Sequence, residues 1–208
     1  MKQVQKSWDA LPSTSDIQKT MEGLKKNNIE AELVQNEEEA KKRILALIPQ
    51  GSEVMTMTSV TLDALGIPKE LNESGKYNSI RKKLMSMDRK TQGREMQKLG
   101  AAPDYAIGSV HAITHDGQIL IASNTGSQLP AYASGSAHVI FVVGAQKIVE
   151  NHEDGMKRLY EHSLPLESER AKKAYGVPSS FISKILTINR EVQPGRVHVI
   201  FINKVLGF

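Results

Sequence analysis

The residues best suited to chemistry in this 208-residue chain lie in short polar turns that follow apolar strands. The first turn is Asn124-Thr125-Gly126-Ser127-Gln128, after the apolar run Ile119-Leu120-Ile121. Gly126 permits positive φ or close backbone approach. Successive N–H groups and the hydroxyls of Thr125 and Ser127 can then surround an anion. The same residues also suit an ordinary strand-to-helix turn with Ser or Thr as N-cap. The second turn, Gly144-Ala145-Gln146-Lys147, closes the apolar strand His138 to Val143. Lys147 can reach a carboxylate or phosphate there as a point charge, or lie in solvent. A third turn, Thr58-Ser59-Val60-Thr61, repeats the strand-to-helix layout, and its hydroxyls read equally as caps or as ligand contacts. If the strands at 119–121 and 138–143 share one sheet, these turns meet at its C-terminal edge, where open α/β sheets bind ligands.

Other reactive side chains offer less. Arg190, Glu191 and Arg196 bracket the Pro194-Gly195 turn and read as a surface ion pair, although Arg196 also suits bidentate carboxylate recognition. Glu167 and Arg170 are spaced for an exposed i,i+3 helical pair. A carboxylate nucleophile would have to be Glu167 or Glu191, and no catalytic residue is assigned. His111 and His115 have the H-x₃-H spacing of a metal pair, but they flank a hairpin and lack a third ligand, so no metal is expected. There is no G-x-G-x-x-G fingerprint and no G-x-S-x-G nucleophile elbow. With Cys 0, this chain has no disulfide, thiol nucleophile or thiolate-held iron–sulfur cluster.

Composition is that of an ordinary globular protein, with 39% hydrophobic and 24% charged residues. No apolar run approaches the roughly 20 residues of a membrane span, and Met1 to Asp16 has no apolar signal-like region. A cytoplasmic location is expected. The formal charge of +4 arises from Lys and Arg scattered among nearly as many acids. The densest cluster, Arg81-Lys82-Lys83, has no interleaved aromatic residues, so a nucleic-acid partner is not expected.

The elements that must position these turns alternate. Helices are predicted over Asp16 to Asn28, with a Ser13-x-x-Asp16 capping box, and after Asn36, with Ala40, Ile44, Leu47 and Ile48 inward. Further helices are predicted at Thr61 to Gly66, from Ile67, over Arg81 to Leu99, after Asn151 and over Pro165 to Tyr175. Met156, Leu159 and Tyr160 are expected on one face of the Asn151 helix. Strands are predicted at Ala31–Val34, Val54–Met57, Asp104–Ile107 and His138–Val143, and a hairpin around His115-Asp116-Gly117. Ile185–Asn189 and Val197–Ile202 are read as a last antiparallel pair. The pattern gives one α/β domain, 1–208, with a largely parallel sheet and residues 1–30 as an N-terminal helical arm. That arm and the apolar tail Val205 to Phe208 suit contact with a second copy, a homo-oligomer.

The chain resembles the lactate-utilization domain (LUD) family, the LutC/YkgG-like proteins. The resemblance rests on Ser59-Val60-Thr61-Leu62, on Thr125-Gly126-Ser127-Gln128, and on Val142 through Val149. It continues through Pro165-Leu166-Glu167, Lys173-Ala174-Tyr175-Gly176, Asn189-Arg190-Glu191 and Pro194-Gly195-Arg196. It implies a three-layer α/β/α sandwich with a mostly parallel sheet, like that of the phosphosugar isomerase and CoA-transferase superfamily. Larger relatives are implicated in oxidising L-lactate to pyruvate within a multi-protein, iron–sulfur-dependent system, which places this chain in carbohydrate metabolism. Lacking cysteine, it resembles the cluster-free branch. Its cofactor is unknown, and electron transfer would need a partner subunit. The implied ligand is a small anionic metabolite held by Ser59, Thr61, Thr125, Gly126, Ser127, Gln128, Lys147 and Arg196. Two alternatives stay open: a non-catalytic structural or regulatory subunit, and a stand-alone isomerase or acyl transferase on a phosphorylated or CoA-linked substrate.

Overall fold

A computed structural model describes residues 7–208. Six strands form a wholly parallel sheet: β1 (Glu30–Val34), β2 (Glu53–Thr56), β3 (Asn78–Ser79), β4 (Tyr105–Gly108), β7 (His138–Gly144) and β10 (Val197–Ile202). Their order is β1-β10-β7-β4-β2-β3. β7 and β10 read as unbroken apolar runs because both of their faces are buried, as central parallel strands require. Period-two alternation divides their side chains. Val139, Phe141, Val143, Val199 and Phe201 face one core, and Ile140, Val142, Ile200 and Ile202 face the other.

Helices cover both faces. The second core is closed by α2 (Glu37–Leu47), α3 (Val60–Ala64) and α4 (Ile67–Glu73), through Ala40, Ile44, Leu62, Ile67 and Leu71. The first is closed by α1 (Thr14–Lys26), through Ile17 and Leu24, and by α5 (Ile80–Met85), α6 (Arg89–Ala101) and a π-helical turn at Ala131–Gly135. This is the expected α/β/α layering. No helix among the described residues is long and apolar enough to cross a membrane.

The hairpin strands leave the main sheet. β5 (Ala112–Thr114) and β6 (Ile119–Ser123) pair antiparallel in a second sheet of order β8-β5-β6-β9, with β8 (Ile148–Val149) and β9 (Lys184–Ile188). Strands 119–123 and 138–144 therefore do not share a sheet, contrary to the sequence reading. The reason is local: β4 and β7 each break after a glycine, Gly108 and Gly144. The chain then restarts as β5 and β8, which pair parallel as β4 and β7 do. The last two strands do not pair either. β9 joins β6 antiparallel, whereas β10 lies between β1 and β7.

Two helices also differ from expectation. The predicted long helix over Arg81 to Leu99 is α5 and α6, divided at Ser86–Asp88. Ser86 Oγ donates to the Lys83 carbonyl at 2.8 Å, and Asp88 caps α6 through the Lys90 N–H at 2.9 Å. Such local side-chain bonds compete with a continuing helix. α7 (His152–Arg158) runs through a π-turn at Leu159–Ser163 into α8 (Leu164–Tyr175). The buried residues of this stretch are Gly155, Arg158, Leu159 and Ser163, one position from the predicted face, and Tyr160 is exposed. These helices cover the second sheet, with Gly155 against Leu120.

α1 closes the structure from the other side. The capping box forms as predicted, with Asp16 N–H donating to Ser13 Oγ at 3.1 Å and Ser13 N–H to Asp16 at 3.3 Å. Gly23 packs backbone to backbone on the β5–β6 turn, where a Cβ would meet the His115 carbonyl oxygen at 2.5 Å. Asn27 Nδ2 donates to the Asp116 carbonyl at 2.8 Å. Helix α1 is thus a wall of the core, and of the arm expected at 1–30, residues 1–6 lie outside the described residues. Gly23→Ala would push backbone against backbone. Urea unfolding should show it destabilised by about 1–3 kcal/mol, the usual cost of overpacking.

Candidate functional site

Where β4 and β7 break, the two sheets part, and a crevice of about 1640 Å³ opens beside the C-terminal ends of the central strands. This exceeds the roughly 300–1,000 Å³ common for small-ligand pockets. Ser59, Thr61, Thr125, Gly126, Ser127, Gln128 and Lys147 all line it. Arg196 does not. It precedes β10, at the opposite edge of the sheet.

Lys147 sits at the floor, in the three-residue 3-10 turn between β7 and β8, and is 2% exposed. Its Nζ is 3.2 Å from Thr61 Oγ1 and 3.1 Å from Ser109 Oγ. Thr61 is the second residue of α3, and its hydroxyl donates to the Leu206 carbonyl at 3.2 Å, so it accepts from Lys147. Ser109 is the first residue after β4. Gln146, the neighbour of Lys147, bonds the Leu206 and Gly207 carbonyls at 3.1 Å and holds the C-terminal stretch across the strand ends. No carboxylate pairs with Lys147 among the described residues. Burial, with the charge of Arg158 nearby, holds its amine well below the usual lysine range.

A second buried cation stands behind the floor. Arg158 is fully buried, and its Nη1 donates to the His111 carbonyl at 2.6 Å and to Ser163 Oγ at 3.2 Å. Its Nε and Nη2 have no partner among the described residues. Burial lowers it to about 10, so it remains charged at neutral pH. His111, at the entry to β5, lines the crevice. Its Nδ1 accepts the Ala122 N–H at 3.1 Å, which makes the ring neutral and leaves Nε2 as its donor. Burial, then the charges of Lys147 and Arg158, push it down to about 3.

The Thr125 turn is built differently from the predicted anion cradle. Gly126 takes positive φ, at 80°, but its N–H is spent on Ser123 Oγ at 2.9 Å. The Ser127 N–H is spent on Thr125 Oγ1 at 3.3 Å. Ser123 Oγ also donates to Gln128 at 3.0 Å. The π-turn that follows supplies no regular helix N-terminus. Ser59 makes the cap that the plainer reading gave it, accepting from the Leu62 N–H at 3.4 Å. The N–H groups of Gly126 and Ser127 are thus occupied within the turn, and the Ser127 hydroxyl accepts from Thr125 Oγ1 at 3.1 Å.

The walls are basic and partly apolar. Arg81, Arg89, Arg94, Lys98, Lys147 and Arg170 line the crevice against the acids Asp63 and Glu167 alone. Glu167 is taken by Arg170 at 2.6 and 2.7 Å, the expected i,i+3 pair. Met55, Met57, Met85, Met87 and Met96 form an apolar wall beneath α5 and α6. Reading the sequence missed Ser109, His111 as a crevice residue, and Arg158. Ser109 had a usable signal, since it follows its strand as closely as Lys147 follows the adjacent one. Arg158 had none, because an arginine on an amphipathic helix ordinarily reads as exposed.

Arg196 is structural. Its Nε donates to Glu191 at 2.8 Å, and its Nη groups donate to the carbonyls of Tyr132, Ala133 and Ser136 at 2.8–3.1 Å. The predicted surface ion pair is thus a buried one that fastens the π-turn to the start of β10.

The layered fold and the crevice at the strand ends define an α/β protein with a mostly parallel sheet. The same fold is seen in the crystal structure of a DUF162 family protein from Deinococcus radiodurans, with a TM-score of 0.56 at 13% identity. That match covers 93% of this chain and 100% of the other. A slighter likeness, TM-score 0.38 at 11% identity, is to eIF2B beta from Chaetomium thermophilum, over 57% of this chain and 44% of that one. A comparison with curated proteins finds no match. The LUD domain model matches residues 17–202, and the chain belongs to the LUD domain family.

Two outcomes test this geometry. Arg196→Ala leaves Glu191 buried without its partner and should cost about 3–5 kcal/mol in chemical denaturation. For His111, the folded ring is lowered to about 3 from 6.5, so the unfolded chain binds the proton first. Its contribution is complete above about pH 6.5 and is lost as the pH falls toward 3. His111→Asn can still accept from Ala122 and cannot titrate. Its thermal midpoint should fall less steeply with acid than that of the parent.

Proposed function

We propose that the crevice binds a small anionic metabolite and that the chain serves lactate-utilization metabolism in the cytoplasm. In this role it acts with partner subunits in the oxidation of a 2-hydroxy acid. One observation carries the reading: Lys147 and Arg158 are buried at one place with no ion pair to either among the described residues. Isolated buried charge is costly, and an entering carboxylate or phosphate offsets that cost. Arg81, Arg89, Arg94 and Lys98 of the crevice wall favour the same sign of ligand and steer it inward. Family membership supports lactate-related metabolism as the setting.

Burial disfavours the Lys147 ammonium in the empty site, and an anion placed against Nζ favours it. Anion binding therefore takes up a proton, and affinity falls as pH rises through the range between the two states. Calorimetry with lactate, pyruvate, sugar phosphates and acyl-CoA, in buffers of different ionisation enthalpy, tests both statements. One of these should bind with proton uptake, and Lys147→Ala should weaken it by roughly 1–3 kcal/mol. Silence across the whole panel would favour a structural or regulatory subunit instead.

A further inference from the structure

The structure assigns Lys147 a second role: its amine is the nucleophile that captures a carbonyl compound, foremost a 2-oxo acid, as an imine on the crevice floor. The inference rests on the anionic-ligand reading for the substrate's carboxylate, but its chemistry stands on different geometry. An amine attacks a carbonyl only when it is unprotonated, placed in a dry site and free of a carboxylate that would hold it as ammonium. Lys147 meets the conditions of placement. It is 2% exposed, lines the crevice, and is hydrogen-bonded to the hydroxyls of Thr61 and Ser109 and to no acid. Its depressed basicity, set by burial and by Arg158, is in keeping with that state.

The neighbouring groups suit the steps. Thr61 Oγ1 gives its proton to the Leu206 carbonyl, so it accepts an N–H and aims the amine. Ser109 Oγ, 3.1 Å from Nζ, is within reach to pass protons between nitrogen and the substrate oxygen. Nζ attacks the carbonyl carbon, a C–N bond forms, and the π pair moves to oxygen, which takes a proton to give the carbinolamine. A second proton on that oxygen lets it leave as water, the nitrogen lone pair forms the C=N bond, and the iminium N–H then gives up its proton to replace the one used, so both protons of the water come from the amine. Amine plus ketone thus gives imine plus water, and no oxidant or reductant is consumed. The His111 ring, neutral with Nε2 as its donor, and the crevice arginines remain for the carboxylate.

Borohydride trapping tests this on the whole chain. The protein is incubated with pyruvate, with acetone, or with lactate, reduced with borohydride, and read by intact mass and peptide mapping. Pyruvate should leave a single adduct on the peptide bearing Lys147. Lactate, which has no carbonyl, should leave none. Lys147→Arg and Lys147→Met, with folding checked by circular dichroism, should lose the adduct. Ser109→Ala keeps the amine and should slow its formation roughly tenfold or more. No adduct with parent protein, or labelling spread over exposed lysines and unchanged in Lys147→Met, overturns the proposal. Calorimetric binding of pyruvate without an adduct also overturns it, and leaves the anionic crevice standing. An acetone adduct as abundant as the pyruvate one upholds the imine and removes the anionic reading.

Discussion

The site depends on a single constraint: a lysine amine must be held out of water where two sheets separate. β4 and β7 run side by side, break together at Gly108 and Gly144, and resume as β5 and β8. Lys147 sits in one break and bonds Ser109 in the other, while Thr61 reaches it from α3. One side chain thus joins three pieces of chain far apart in sequence. The hydroxyls satisfy the amine without neutralising a charge, which separates this arrangement from an ordinary buried ion pair. Arg196 and Glu191, at the other edge of the same strands, are that ordinary pair, closed on itself and on backbone carbonyls. The contrast shows which buried cation is committed to folding and which remains available.

The supporting parts follow from the same break. A second sheet that begins where the first ends needs its own cover, supplied by α7 and α8 on one side and by the α1 contact at Gly23 on the other. Arg158, the last residue of α7, reaches the His111 carbonyl, and Ser163 of the following π-turn accepts from the same nitrogen. The Arg158 guanidinium then fixes the His111 carbonyl, and the Ala122 N–H fixes its ring. Thr61 is held in turn by the Leu206 carbonyl.

Much of the fold was legible in the sequence because its signals are local. The Ser13–Asp16 box, Asn36, Ser59 and Asn151 cap helices where their types predict. The Gly176 stop, with φ of 70°, ends α8 as expected. What was not legible depends on partners distant in sequence. Val197 to Ile202 reads as a strand in any setting, but only burial on both faces puts it at the centre of the sheet rather than against β9. Ser86 and Asp88 were read as helical residues, although their side chains compete for the backbone. At the site, Lys147 was legible because it follows a core strand directly. The Thr125 turn was legible as a turn but not as an anion cradle, since the bonds from Ser123 and Thr125 that occupy its N–H groups are a matter of three-dimensional placement.

The methionine wall has a consequence for how the crevice divides its labour. Met55 and Met57 come from β2 and its end, Met85 and Met96 from α5 and α6, and Met87 from the break between those helices, and all five line the crevice that holds Lys147. Unbranched thioether side chains can repack around differing shapes at little cost, whereas Lys147, Thr61 and Ser109 are locked to one another. The crevice is therefore a vise with one fixed jaw and one padded jaw. The fixed jaw presents a polar surface of set dimensions, and the padded jaw can repack to differing shapes.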